Sequence, residues 1–405
     1  MDLDDSPEQA AYRAEVREWL SEHRDEAPAP MGDMEDSEYI EARRTWQRLL
    51  SERQLVGVTW PSEFGGPGRG PVEQLIVNQE LVAAGVPGGI DVIGLGLMGP
   101  CIMVHGTPAQ KERYLAPLLH GDEVWCQLFS EPAAGSDLAA VQCRARRDDD
   151  GAWRLTGQKV WTTNAQFARF GMCLARTDGD QPKHKGLTMF VVPMDADGVT
   201  VRGLRQISGE AEFNEVFLDD VVVGGDEMVM GEVGGGWGAA LTVLMYERMM
   251  IGLGTEGFGY SPERFAGAVA GSSRMDRESG LRAKLADVAA ELLAVRFRGF
   301  QSLSQLEDGR VPGPEFGLAK ITTVNAAITA GDLIVDVNGP DALVEPGEWA
   351  YHISFLPGLK SAGGAEPILR NTVGERVLGM PPEPRLDKNI TFDDLVARQR
   401  EGLAA

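Results

Sequence analysis

The sequence of 405 residues predicts an α+β protein, helical at both ends with a small antiparallel β region between. Three observations predict it. Up to about residue 122 apolar residues recur at helical spacing. Short segments rich in Val, Thr and aromatics, separated by turn signals, follow to about residue 232. Long apolar stripes of helical period then return. The expected domains are residues 1–122 (helical), 123–232 (β) and 233–405 (helical bundle), since a chain of this length exceeds one ordinary hydrophobic core.

In chain order, Ser6-Pro7-Glu8-Gln9 is a helix start, with a hydroxyl cap, Pro at the first helical position and Gln closing a capping box. Tyr12, Val16, Trp19 and Leu20 then mark one helix face. A second helix is expected over Glu38–Leu55, a turn-rich loop over Trp60–Gly68, and further helices over Pro71–Ala84 and Pro108–Leu119. Strands are expected at Trp153–Thr163, Gly171–Arg176, Leu187–Pro193, Val199–Ile207 and Asn214–Val223, with a turn at Asp148–Gly151 and an exposed polar loop at Thr177–Gly186. Beyond Gly234, Leu285, Val288, Leu292 and Val295 form one helical stripe. Ile321, Val324, Ile328 and Val335 form another, closed by Asn338-Gly339-Pro340. Stripes on several long helices predict an antiparallel bundle with subunit contacts.

Composition narrows the function classes. The 43% hydrophobic and 24% charged residues are ordinary for a globular protein. A net charge of −23 argues against nucleic acid or anionic membrane surfaces as partners and suits a cytoplasmic protein. No apolar run approaches the length of a membrane span, and the acidic start is unlike a signal peptide. Cys101, Cys126, Cys143 and Cys173 have neither CxxC nor zinc spacing, and five scattered His argue against a metal site.

Two motifs compete for attention. Gly94-Leu-Gly-Leu-Met-Gly99 spells GxGxxG but lacks a preceding strand, and Pro100 follows, so it reads as small residues at a helix contact rather than a dinucleotide loop. The stretch Gln127–Asp137 is more specific. Ser130 and Ser136 flank a Pro-Ala-Ala-Gly turn able to present main-chain donors to a phosphate or a heterocycle edge. In Val160-Trp-Thr-Thr-Asn164, Trp161 offers a flat stacking face. Thr163, two residues on, would point to the same side of a strand. A core Trp at a β-domain edge is the plain alternative.

Together with Trp60–Gly66, His105–Arg113, Phe129–Asp137, Gly157–Asn164, Asn214–Asp220 and Gly374–Gly379, these segments resemble the acyl-CoA dehydrogenase family over nearly the whole chain. The resemblance implies a helical domain, a β-barrel-like domain and a C-terminal four-helix bundle. It implies that Phe129, Ser130 and Ser136 contact FAD, that Trp161 packs on the isoalloxazine and that Thr163 bonds near its N5. The implied reaction is α,β-dehydrogenation of an acyl-CoA thioester, with a carboxylate removing the α-proton.

The family has two positions for that carboxylate. One falls here on Gly363, which cannot take a proton and is left to line the substrate. The other falls on Glu247, followed by Arg248, which the family would use on the substrate side. Adjacent helical residues do not face one another, so Arg248 is not simply the neutralising partner of Glu247. A surface Glu–Arg pair is the alternative. The elements through which family members complete a neighbouring subunit's FAD fall on Ala268, Ser279, Asp336 and Ala365, which cannot serve. A chain with the cis half alone implies an unlike partner: the base-bearing subunit of a heteromeric, α2β2 enzyme acting on a bulky or steroid-derived acyl-CoA, with an electron-transferring flavoprotein as oxidant. An oxidase, an acyl-carrier-protein dehydrogenase, a homo-oligomer and a scaffolding subunit are the alternatives.

Overall fold

The computed structural model describes residues 5–30, 32, 36–252, 260–270, 272, 274, 279–310, 313–344, 348–385, 387 and 389–402. They fall into two compact units. The first holds Asp5–Arg205, Glu210–Tyr246 and Pro384–Ala405, and the second holds Gln206–Gly209 and Glu247–Glu383.

In the first unit, helices α1 (Pro7–His23), α2 (Ser37–Glu52), α3 (Pro71–Ala84), α4 (Gly99–His105) and α5 (Pro108–His120) precede the sheet. The capping box at Ser6 and Gln9 forms as expected, and Thr107 with Gln110 makes a second one at α5. Helix α2 stops at Glu52, three residues short of the expected end, because Gln54 turns left-handed at φ 61°. The GxGxxG segment is a π-helical turn leading into α4. A Cβ on Gly99 would lie 2.2 Å from the Trp60 ring, so glycine is required there by close packing. Asp91 ahead of the turn is fully buried and accepts from the N–H groups of Gly94 (2.7 Å) and Trp125 (3.0 Å). Burial pushes its carboxyl up to about 7 against the pull of those two donors.

Seven strands follow: β1 (Trp125–Leu128), β2 (Arg144–Arg147), β3 (Trp153–Thr163), β4 (Phe170–Arg176), β5 (Leu187–Pro193), β6 (Val199–Leu204) and β7 (Phe213–Gly224). They form one sheet in the order β1-β4-β2-β3-β7-β6, with β5 on β4. Four pairings are antiparallel, while β1–β4 and β2–β4 are parallel. The short strands β1 and β2 are not evident in the sequence, since β2 reads Arg-Ala-Arg-Arg and β1 adjoins a helix. Strands β4 and β5 are apolar almost without a break because both faces are covered. Met172, Leu174, Met189 and Val191 pack into the core shared with the helices. Alternate residues Cys173, Ala175, Phe190 and Val192 fill a second core on the other face. All four cysteines are buried free thiols.

The loop Thr177–Gly186, expected to be exposed, is pinned instead. The C-terminal helix α12 (Phe392–Arg400) begins against it, with Phe392 N–H donating to Gln181 O (2.9 Å) and the ring lying 3.8 Å from the Arg176 guanidinium carbon. Lys183 bridges Asp137 (2.7 Å) and Asp387.

Helix α6 (Gly236–Gly252) runs through the division between the units. The second unit then contains α7 (Pro262–Val269), α8 (Ser279–Glu307), α9 (Phe316–Asn338), α10 (Glu348–Phe355) and α11 (Glu366–Arg376). Val288, Leu292 and Val295 of α8 share one core with Val324 of α9, with Leu285, Ile328 and Val335 partly buried against it; Ile334 and Val337, outside the expected stripe, also belong to this core, and Ile321 does not. Gly339, at φ 76°, ends α9. The segment Phe316–Leu343 has the length and mean hydropathy of a membrane span, which the sequence reading did not expect. Its most apolar window is 61% buried inside the unit, as a bundle core requires.

Candidate functional site

In the first unit the two motif segments are joined at the main chain. Val160 N–H donates to Ser130 O at 2.9 Å, and residues 131–134 close a tight turn through reciprocal bonds between Glu131 and Ala134. Behind that junction lies a charge pair that motif reading missed. Lys159 is fully buried, and its Nζ donates to Phe129 O (3.0 Å), Leu174 O (2.7 Å) and Glu131 Oε1 (2.8 Å). The Glu131 carboxylate also accepts from the N–H groups of Gln142 (2.6 Å) and Cys143 (2.9 Å). The available signal was alternation: Trp153, Leu155, Gly157 and Lys159 share one strand face, so a lysine there points inward and demands acceptors.

The side chain following this anchor points the other way. Trp161 is 62% exposed, although it is among the largest apolar residues in the chain. Its φ of 61° is a left-handed conformation that costs a bulky residue about 1–3 kcal/mol. The β3–β7 register shifts between Lys159 and Thr162, so the regular alternation relating Trp161 to Thr163 is interrupted at that point. Thr162 turns inward, with its Oγ1 buried and unpartnered, while Thr163 is half-buried beside Phe213. The Phe213 ring meets Trp161 edge-on at 6.1 Å. Ser136 is exposed on the turn and Ser130 is half-buried. Phe129 directly follows β1. Its ring is only 4% exposed and its carbonyl is taken by Lys159.

These features fit a planar aromatic group. A bare indole face is held outward by a strained backbone that a buried ion pair fixes, and hydroxyl-bearing residues lie on the adjoining turn.

In the second unit, Glu247 and Arg248 are half-buried on α6. Burial holds the Arg248 guanidinium below its ordinary value, Glu247 works against that, and Arg376 adds to it. Gly363 and Gly364 take φ of 65° and 96°, two consecutive left-handed residues that open the turn before α11. Lys320 of α9, only 2% exposed, donates to Gly364 O (2.9 Å) and Lys360 O (3.2 Å). Of the positions expected to have lost a trans role, Asp336 pairs with Lys284 at 3.0 Å. Ala268 lends its carbonyl to Asn338 at 3.0 Å. Ala365 precedes α11 with no side-chain cap. The Ser279 side chain lies outside the described residues.

Comparison with known proteins bears on all three regions. Sequence models described as the acyl-CoA dehydrogenase N-terminal, middle and C-terminal domains match residues 6–122, 126–221 and 234–378. The chain is 42% identical over 335 residues to acyl-CoA dehydrogenase FadE34 of Mycobacterium tuberculosis, covering 83% of this chain and 46% of FadE34. It thus spans about half the length of that relative. It is 34% identical to acyl-CoA dehydrogenase IpdE1 of the same organism, over 92% of this chain and 98% of IpdE1. Among solved structures, one described as the Tcur3481-Tcur3483 steroid ACAD is similar with a TM-score of 0.83 at 27% identity, covering 95% of this chain and 100% of the other.

Proposed function

Since the chain belongs to the acyl-CoA dehydrogenase family, we propose that it carries out FAD-dependent α,β-dehydrogenation of an acyl-CoA thioester. FAD, when bound, supplies the acceptor for the β-hydrogen, which leaves as hydride. Trp161 gives its flat face to the isoalloxazine and Thr163 a hydroxyl near its edge. Ser130, Ser136 and the main chain at Phe129 complete the near wall. The observation that carries this reading is Trp161: an exposed, strained indole behind which Lys159 and Glu131 are buried.

Glu247 is the base in this reading. The α-proton of a thioester is weakly acidic, so a carboxylate in a dry setting has to take it while hydrogen bonds hold the developing enolate oxygen. Half-burial of Glu247 on α6 supports the assignment. Arg248 faces the substrate. The backbone of Gly363, without a side chain, leaves room for a broad acyl group where relatives of the other type carry their carboxylate.

The substrate is a bulky or steroid-derived acyl-CoA, and the chain is the base-bearing half of an α2β2 heteromer that passes electrons to an electron-transferring flavoprotein. Support comes from Ala268, Ser279, Asp336 and Ala365, none of which offers the trans contacts of a homotetramer, and from the paired name of the structural relative. Expression alone and with a homologous partner tests this. Full flavin occupancy and turnover by the lone chain would overturn the heteromer, while flavin and turnover in the mixed assembly alone would support it.

A further inference from the structure

Within the first unit, the turn that the flavin reading depends on is gripped from two sides. At its start, Glu131 is held by the buried Lys159. Residues 135–137 are exposed, and a Cβ on Gly135 would meet no atom within 4 Å, so this stretch has no core packing of its own. Two cations grip its far end, one closing β4 and one in the loop that follows. Lys183 donates to Asp137 Oδ2 at 2.7 Å and pairs with Asp387. The buried Arg176 donates to Ala139 O at 2.6 Å, and its guanidinium carbon lies 3.8 Å from the centre of the Phe392 ring. It also donates to Lys183 O (2.9 Å) and Lys185 O (2.8 Å), which fixes the loop between the two cations. Each cation therefore touches both the far end of the turn and the C-terminal segment. That segment is closely fitted. Phe392 and Asp393 donate their N–H groups to Gln181 O (2.9 Å) and Gly179 O (3.0 Å), and a Cβ on Gly179 would fall 2.4 Å from the Asp393 carboxylate.

We propose that Asp387 and α12 form a strap that sets the cofactor turn, with Lys183 as the positioning residue that joins the two. The proposal rests on the flavin reading of this turn, in which Ser136, the neighbour of Asp137, is a contact. The carboxylates that Lys183 bridges are partly exposed, so the pairs add little to global stability. Their effect is local. They remove freedom from an exposed turn that a ligand would otherwise have to order on binding. Arg176 adds to the strap in its own way. Its three acceptors are main-chain carbonyls and its Nε is buried without a partner, so the Phe392 ring supplies the electron-rich face against which the guanidinium is buried. A turn released from the strap keeps its contacts with the cofactor but holds them for less time, which shows in the release rate.

The experiment measures FAD release from the flavin-loaded assembly and amide exchange at residues 135–139 in the flavin-free full chain. Asp387→Asn and Phe392→Ala each free one end of the strap without touching the turn, and Lys183→Met removes the joint. Each is expected to speed FAD release by about fivefold and to raise exchange at 135–139, with exchange in β3 and β5 unchanged. Lys183→Arg should restore most of the wild-type rate. Because one strap acts through both contacts, Asp387→Asn/Phe392→Ala should speed release by less than the product of the single effects. Should Phe392→Ala not fold, Phe392→Leu keeps the bulk and removes the aromatic face. Wild-type release in both strap variants would overturn the proposal, even if exchange at 135–139 rises, since the segment would then serve structure alone. Faster release in Lys183→Met only would make the lysine a local prop and would overturn the strap as well. Flavin binding by Trp161→Ala equal to the wild type would instead refute the flavin reading. The strap would then be judged by exchange alone, with unchanged exchange at 135–139 in Asp387→Asn overturning it.

Discussion

Lys159 Nζ and Glu131 Oε1 meet at 2.8 Å inside the sheet, with the lysine wholly buried, and this contact joins the turn at 130–137 to the strand that carries Trp161. A buried pair broken from one side leaves an uncompensated charge, which costs about 3–5 kcal/mol. Lys159→Met should therefore lower the unfolding free energy measured in urea by an amount in that range and reduce flavin occupancy. The double variant Lys159→Met/Glu131→Gln should recover part of the loss. A change under about 0.5 kcal/mol in the single variant would remove this pair from the account.

Trp161 offers a separate test of strain. Glycine accepts φ of 61° freely, so Trp161→Gly should be more stable than Trp161→Ala by about 1 kcal/mol in thermal unfolding. Both should lose flavin affinity through the missing indole face. If Trp161→Ala binds flavin as the wild type does, the stacking role is wrong.

Asp91 makes a prediction about pH. Its folded value lies near 7 and its ordinary value at 3.8, so the unfolded chain releases this proton first. Its contribution to stability is therefore complete below about pH 4 and falls as pH rises toward 7. Asp91→Asn should remove that slope, so that its unfolding free energy gains on the wild type between pH 5 and 8. Parallel curves for the two proteins would contradict the burial argument.

Much of this was legible in the sequence, for identifiable reasons. The capping box at Ser6, the stripes of α8 and α9 and the strands at 153–163 and 187–193 are local patterns with one physical solution each. The polar strand Arg144–Arg147 was not legible, because it lacks an apolar alternation of its own and its pairing with β4, at Arg176, is fixed by a residue remote in sequence. The bulge at Trp161 was missed for a similar reason. A period of two carries no sign of the shift that the β7 partner imposes between Lys159 and Thr162. Loop Thr177–Gly186 looked exposed because Phe392 and Asp387, which hold it, lie some two hundred residues later. At the site, the motif segments were recognisable. The buried charge that joins them, Lys159, drew no notice because its partners Glu131 and Leu174 come from other segments.

The central claim is that Glu247 takes the α-proton, and Glu247→Gln tests it most directly. The variant, assembled with its partner and loaded with flavin, should bind acyl-CoA with near-normal affinity while single-turnover flavin bleaching slows by about a thousandfold or more. Bleaching at a rate close to that of the wild type would contradict the account.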